Sequence, residues 1–164
     1  MASSNTTEET IDFFLGHVQS VFAGIMPADF MANMDPAQYN SIRRNFGRSR
    51  ILWCWWHVLH AWQSHFVITH FPELWDLLKK WIRVEEKAEF EAMWKKIQDI
   101  APSSVVEYLN QYYIPTQAHW SAVYRQGRKL LMEGDTNMLL EAYVVLGVYF
   151  YPSNHGSFAD GTIY

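Results

Sequence analysis

The sequence has 164 residues, 49% of them hydrophobic and 16% aromatic, which suffices for one domain with its own core and is too apolar for a disordered segment. Its formal net charge of -4 excludes an overall positive field that attracts nucleic acid, so any contact with phosphates has to be local. The single cysteine, Cys54, excludes both an internal disulfide and a zinc site made of cysteines alone.

The first predicted element is an amphipathic helix. The ten residues at the N-terminus are polar and acidic, unlike a secretory signal, and the apolar stretches of the chain are shorter than a membrane span. Thr10 is a candidate helix cap, and Gly24 and Pro27 are candidate stop signals. Apolar residues recur between them every three or four positions and predict the buried face: Ile11, Phe14, Leu15, Val18 and Phe22.

Two strands separated by a helix follow. A short apolar run over 29–34 predicts the first strand, and Asp35-Pro36 is a typical helix start because Asp caps and Pro fits the first turn. The helix runs to a stop at Gly47. Residues 50–56 predict the second strand, and a helical pattern begins at His57. This alternation predicts an α/β arrangement.

From Pro72 onward the pattern is helical only. Three further helices are predicted before residue 133: one that starts at Pro72, one that ends before Ala101-Pro102, and one whose Ser104 and Glu107 have capping-box spacing. A fourth helix is predicted to begin at 114–116 and to continue past Tyr124. We therefore predict a mostly helical α/β fold.

Three separated motifs carry a resemblance to a known family. They are Asp35 after the first strand, the run Ile51-Leu-Trp-Cys-Trp-Trp-His57 that leads into Val-Leu-His-Ala-Trp62, and Thr136-Asn137-Met-Leu-Leu-Glu141 after the helical stretch. In this order and spacing the chain resembles the Mutator-like element (MULE) transposases, especially forms from fungal genomes, from about residue 11 to about residue 143. Cys-x-x-His alone is a weak signal.

The resemblance implies an RNase H-like core interrupted by a helical insertion. It also implies a DDE-type site, in which two Asp and one Glu hold two Mg²⁺ or Mn²⁺ ions for DNA cleavage and strand transfer during transposition and recombination. Asp35 matches the second acidic ligand and Glu141 the third, while Cys54 and His57 match the Cys-x-x-His signature, and Thr136 and Asn137 precede the Glu.

Each of these residues also has a plainer interpretation. Asp35 fits a helix cap, a role that is compatible with metal binding, and Glu141 fits a solvated helical residue. Cys54 fits an inert buried thiol and His57 a core imidazole bonded to a carbonyl. Zinc at Cys54 and His57 is not expected, because a zinc site needs about four ligands.

Other residues offer weaker signals for nucleic acid. A basic cluster formed by Arg43, Arg44, Arg48 and Arg50 fits either phosphate contacts or a solvated helix end. Tryptophans fit base stacking but are more often core residues. They fall into two groups, Trp53, Trp55, Trp56 and Trp62 near the signature, and Trp75, Trp81, Trp94 and Trp120 in the helical stretch.

The resemblance also predicts what is missing. The family's first catalytic Asp lies on a strand upstream of the first helix, and residues after Tyr143 depart from the family's basic helix. We therefore expect a catalytically incomplete transposase fragment with three parts: a partial core (1–66), a helical insertion (67–133), and a Glu-bearing helix with a divergent tail (134–164). A transposase-derived protein- or DNA-binding module without chemistry is the alternative. DNA is the expected partner, together with self-association and no membrane, and the nucleus is the expected location.

Overall fold

The computed structural model describes residues 8–21 and 26–125, which form a mostly helical fold with one small parallel sheet. The mostly helical α/β prediction is confirmed at this level. The longer elements, in chain order, are α1 (Glu8–Val21), β1 (Asp29–Ala32), α2 (Pro36–Asn45), β2 (Arg50–Trp53), α3 (Trp55–Gln63), α4 (Pro72–Trp81), α5 (Lys87–Ile100), α6 (Ser103–Tyr108) and α7 (Gln117–Trp120).

Shorter turns connect these elements. A π-helical turn (Leu109–Tyr113) follows α6, and 3-10 turns cover Ile68–His70, Ile114–Thr116 and Ala122–Tyr124. No helix within the described stretches has the length and apolar composition that a bilayer crossing needs.

The sheet is a β1-α2-β2 unit. Its strands are parallel, with Asp29 opposite Arg50 and Ala32 opposite Trp53, and α2 supplies the crossover that parallel strands require. The helix starts as the sequence predicts: Asp35 caps it, and Pro36 occupies its first position. Pro is favourable there because the missing N–H has no helical partner at that position.

A first apolar core lies under this unit. It comprises the buried side chains of Ala32, Ile42, Phe46 and Ile51, and it is flanked by Leu15 and other partly buried residues. The helix α1 packs on α2 and begins at Glu8, so Thr10 lies inside the helix rather than at its cap. The predicted inward position of Phe14 is wrong, since 62% of this residue is exposed. Leu15 and Val18, which belong to the same predicted face, do pack against the first core.

A second, larger core unites α3 with the helices after it. Three fully buried indoles stand at its centre: the ring centroid of Trp62 lies 5.7 Å from that of Trp81 and 5.3 Å from that of Trp120. Their burial agrees with the core interpretation of these tryptophans. Because α3 contributes Val58 and Trp62 to this core, the two cores meet at the junction of β2 and α3, and the predicted division after residue 66 stays a prediction.

Several predicted boundaries are wrong. The first strand ends at Ala32 and the second at Trp53, so α3 begins at Trp55 rather than at His57. The helix α6 begins at Ser103 without a side-chain cap, so Ser104 and Glu107 form no capping box.

The predicted long helix after residue 114 is also wrong. It is interrupted at Ser121, whose backbone is extended (ψ 139°) and whose hydroxyl accepts a hydrogen bond from the Val123 amide. The amide of Ala122 donates to the carbonyl of Ile82 (3.0 Å). A tertiary hydrogen bond thus replaces one that would continue the helix.

Candidate functional site

The candidate site is the edge of the sheet where both strands end. Because β1 and β2 are parallel, their carboxyl ends lie at the same edge, which is where open α/β sheets usually bind ligands. Asn33, Met34 and Asp35 follow β1, and Cys54 follows β2. Asp35 and Cys54, the first residue of the Cys-x-x-His signature, therefore both lie at this edge.

Asp35 is exposed and held in a defined orientation. Its Oδ1 atom accepts a hydrogen bond from the Ala37 amide (2.9 Å), and its own amide donates to Oδ1 of Asn33 (3.0 Å). The amide of Asn33 donates in turn to Oε1 of Gln38 (3.3 Å). A carboxylate has about four acceptor positions, so the cap uses only part of its capacity. Capping and metal binding are compatible at this residue.

The backbone of Cys54 connects the carboxyl ends of the two strands by a hydrogen bond. Its amide donates to the carbonyl of Ala32 (2.9 Å), its carbonyl accepts from the Val58 amide (3.1 Å), and the residue is fully buried. His57 lies in the first turn of α3, partly exposed, with its ring edge-on to Trp56 at 4.9 Å. The position of Cys54 explains why this residue must be small and tolerant of burial.

Side chains that commonly bind metal ions do not cluster within the described residues. No group of three or more His, Cys, Asp or Glu side chains is placed to share an ion within the described ranges. Cys54 and His57 together supply two ligands of the roughly four that zinc requires. Thr136, Asn137 and Glu141 lie outside the described residues, so the convergence of Asp35 and Glu141 stays a prediction.

Three of the four arginines in the basic cluster bind groups within the chain. Arg44 forms ion pairs with Glu8 and Asp12, both at 2.7 Å. Its hydrogen bond holds the pKa of Glu8 below its ordinary value, with a further contribution from Asn40. These contacts tie α1 to α2.

Arg50 and Arg43 hold the sheet unit in the same way. Arg50 forms a bidentate pair with Asp29 across the two strands (2.5 and 3.1 Å), and this raises the pKa of the guanidinium. Arg43 donates to the carbonyls of Gly47 (3.3 Å) and Ser49 (3.1 Å). Arg48 is exposed in the turn after α2, and it is the member of the cluster that best fits a phosphate contact.

An aromatic cavity of about 460 Å³ opens at Met34 and Trp53, at the carboxyl ends of the two strands. Met34, two residues after β1, and Trp53, the last residue of β2, line one side of it. The other side is formed by the end of α6 and by the two turns that follow it. Its lining residues there are Tyr108, Tyr112, Tyr113 and Thr116. Sequence reasoning missed this cavity, because α-helical spacing places only two of its three tyrosines on one face.

The π-helical turn explains how three tyrosines line one wall. In an α-helix Tyr108 and Tyr112 share a face and Tyr113 is turned away, whereas the wider π turn also places residues five apart on one face. Both ring centroids therefore lie 5.4 Å from that of Tyr108. Turns of this kind are frequently found at functional sites.

Hydrogen bonds fix the inner part of the cavity. The hydroxyl of Tyr113 donates to Sδ of Met34 (3.2 Å) and accepts from the hydroxyl of Tyr108 (3.3 Å). Burial, with a smaller contribution from this hydrogen bond, raises the pKa of Tyr113. Thr116 donates to the carbonyl of Tyr112 (2.6 Å). Tyr112 itself is 53% exposed and forms the rim.

A second depression of about 630 Å³ lies between α4 and α5. Both signs of charge line it, including Lys80, Arg83 and Glu89, and Lys79 is paired with Asp76 at 2.7 Å. Mixed charges create no net field for an anion or a cation. This surface is therefore a weaker candidate than the edge of the sheet.

Comparison of the sequence with models of protein families, with curated proteins and with solved structures finds no match.

Proposed function

We propose that the chain is a segment of a MULE-type DNA transposase and that its sheet unit is part of an RNase H-like core. The observation that carries the proposal is the position of Asp35: an exposed, oriented carboxylate at the carboxyl end of a parallel strand, directly before the crossover helix. The next strand leads into Cys54 and His57 of the family signature. On this proposal, the mostly helical part that follows is the insertion.

The donor chemistry of Asp35 suits a hard divalent ion. Mg²⁺ prefers oxygen ligands and is usually held by one or two carboxylates, with water and substrate phosphates completing its shell. In the two-ion sites of this class, the ions activate the attacking oxygen and stabilise the leaving oxygen. On this proposal Asp35, oriented by the Ala37 amide, supplies one ligand and Glu141 another.

We expect the chain to bind DNA without cleaving it. A site of this class needs three carboxylates, and the two aspartates before Asp35 in the described residues are already ion-paired, Asp12 with Arg44 and Asp29 with Arg50. If either aspartate bound a metal ion, its ion pair with arginine would be lost.

The same ion pairs favour the second candidate, a transposase-derived module that binds DNA or protein without chemistry. The exposed rings of Phe13 and Phe14 on α1 favour self-association in that case. The nucleus follows as the proposed location for either function.

Iron-mediated cleavage of the polypeptide tests the metal site. Fe²⁺ replaces Mg²⁺ and, with ascorbate and peroxide, produces radicals that cut the backbone next to the bound ion. We expect cuts near Asp35 that excess Mg²⁺ suppresses and that Asp35→Asn removes. Asn preserves the helix cap, so the variant changes the charge and not the fold. Asp99→Asn, at an exposed aspartate of α5, is the matched control and should leave the cuts unchanged.

The same experiment distinguishes the two candidates. Cuts near both Asp35 and Glu141 support a shared ion and the transposase segment. Absence of any Mg²⁺-sensitive cut near Asp35 rejects the metal site and leaves the non-catalytic module. In a separate assay with Mn²⁺, cleavage of duplex DNA that disappears in both Asp35→Asn and Glu141→Gln would show that the chain is a complete enzyme, contrary to our expectation.

A further inference from the structure

We propose that the aromatic cavity lined by Met34, Trp53 and the three tyrosines binds one unpaired base of a DNA strand by stacking. The proposal rests on the proposed function for the identity of the ligand, since DNA is the expected substrate, and on the geometry of the cavity for the mode of binding. The volume of about 460 Å³ lies within the range of about 300–1,000 Å³ that is usual for small-molecule sites.

The lining of the cavity fits a flat, neutral ring. Four of its six lining residues are aromatic and none carries a formal charge. The polar groups of its inner wall bind one another, since Tyr113 donates to Met34 and Thr116 donates to the carbonyl of Tyr112. An anionic phosphate finds no positive partner among these residues. A base, in contrast, stacks on aromatic rings, and all four bases can do so because each has a flat π-face.

The cavity lies at the carboxyl ends of the two strands, because Met34 follows β1 and Trp53 ends β2. Met34 lines the cavity and Asp35 is the next residue, so their Cα atoms are separated by about 3.8 Å. The Asp35 carboxylate does not line the cavity, so stacking of the base does not depend on it. The exposed Tyr112 at the rim lies where such a base enters.

The test uses a short single-stranded oligonucleotide that contains 2-aminopurine, whose fluorescence is quenched when it stacks on an aromatic ring. We expect quenching on addition of the full chain. Tyr112→Ala should weaken binding of the oligonucleotide about tenfold, which is within the range measured for loss of one stacked ring, and Tyr112→Phe should restore both binding and quenching. Tyr124→Ala is the matched control, because Tyr124 is 38% exposed and lies outside the cavity.

The outcomes separate this inference from the proposed function. Binding of the oligonucleotide without quenching, and with the same affinity in Tyr112→Ala, overturns the base site while the transposase proposal stands. A second titration uses the free nucleoside, 2-aminopurine riboside, in place of the oligonucleotide. Binding of this nucleoside that requires Tyr112, without any binding of the oligonucleotide, supports the base site and removes DNA as its source. Failure of both ligands to bind overturns the inference.

Discussion

The Nδ1 atom of His119 lies 2.8 Å from the carbonyl oxygen of Ile51. A carbonyl only accepts hydrogen bonds, so Nδ1 carries a proton and donates it. Arg125 donates in the same way to the carbonyl of Trp53. These two carbonyls belong to alternate residues of β2 and point away from β1, where a further strand would pair with them. The helical part thus covers the outer edge of the sheet with side chains.

Loss of this cover should destabilise the chain. We expect His119→Ala to lower the free energy of unfolding by about 1–3 kcal/mol, because it leaves the buried Ile51 carbonyl without its partner. Urea denaturation monitored by circular dichroism measures the change. His60→Ala is the control, because His60 is exposed and stacks on Trp56 at the surface, and it should change the stability by less than about 0.5 kcal/mol. Equal losses in the two variants would contradict the role given to His119.

Two tryptophans of α3 should respond very differently to the same substitution. Trp62 is 1% exposed and contacts two other buried indoles, whereas Trp56 is 43% exposed. We expect Trp62→Ala to cost about 3–5 kcal/mol and Trp56→Ala less than about 0.5 kcal/mol. Urea denaturation of the two variants measures both changes in the free energy of unfolding. A large cost at Trp56 would indicate that this side of α3 is covered in solution by a partner or a second copy.

The sequence predicts the sheet unit well because its signals are local. Asp35 and Pro36 define the start of α2 by their own chemistry. Strand ends are predicted less well. No residue in the apolar run that ends at Trp56 signals the end of a strand. In the structure the strand ends at Trp53, and Cys54 is the N-cap residue of α3.

The aromatic cavity is a feature that the sequence could not predict. The choice between an α-helical and a π-helical turn at Tyr113 depends on packing against Met34 and Trp120, which lie elsewhere in the chain. Spacing alone indicates that Tyr108 and Tyr112 share a face. The third tyrosine joins them only because tertiary contacts select the wider turn.

Cys54 should be unreactive in the native chain. Its side chain is fully buried at the junction of β2 and α3, and a thiol must be reached by the reagent before it reacts. We expect labelling with an aromatic disulfide reagent to be at least about 100-fold slower than in urea, since it waits for opening of the structure. Ser64→Cys, which introduces a thiol at an exposed position, should react at once. Rapid labelling of Cys54 in the unsubstituted chain would favour an accessible ligand over a buried thiol.

Tyr113 should make the chain less stable at high pH. Burial, with a smaller contribution from the Tyr108 hydrogen bond, raises the pKa of its phenol, so the folded state keeps the proton when the unfolded state has released it. The stabilisation is complete below the ordinary pKa of about 10 and is lost progressively above it. The free energy of unfolding should therefore fall above about pH 10.

Comparison with Tyr113→Phe isolates this effect from the other titrating groups. The variant should be less stable at neutral pH by about 0.5–1.5 kcal/mol, because the Met34 contact is lost, but its stability should decline less steeply above about pH 10, with a difference of up to about 1.4 kcal/mol per pH unit. Urea denaturation at intervals from neutral to alkaline pH gives both slopes. Tyr124→Phe, at an exposed tyrosine, should keep the steeper slope of the unsubstituted chain. If Tyr113→Phe also keeps that slope, the phenol of Tyr113 reaches solvent and the inner wall of the cavity is open to water.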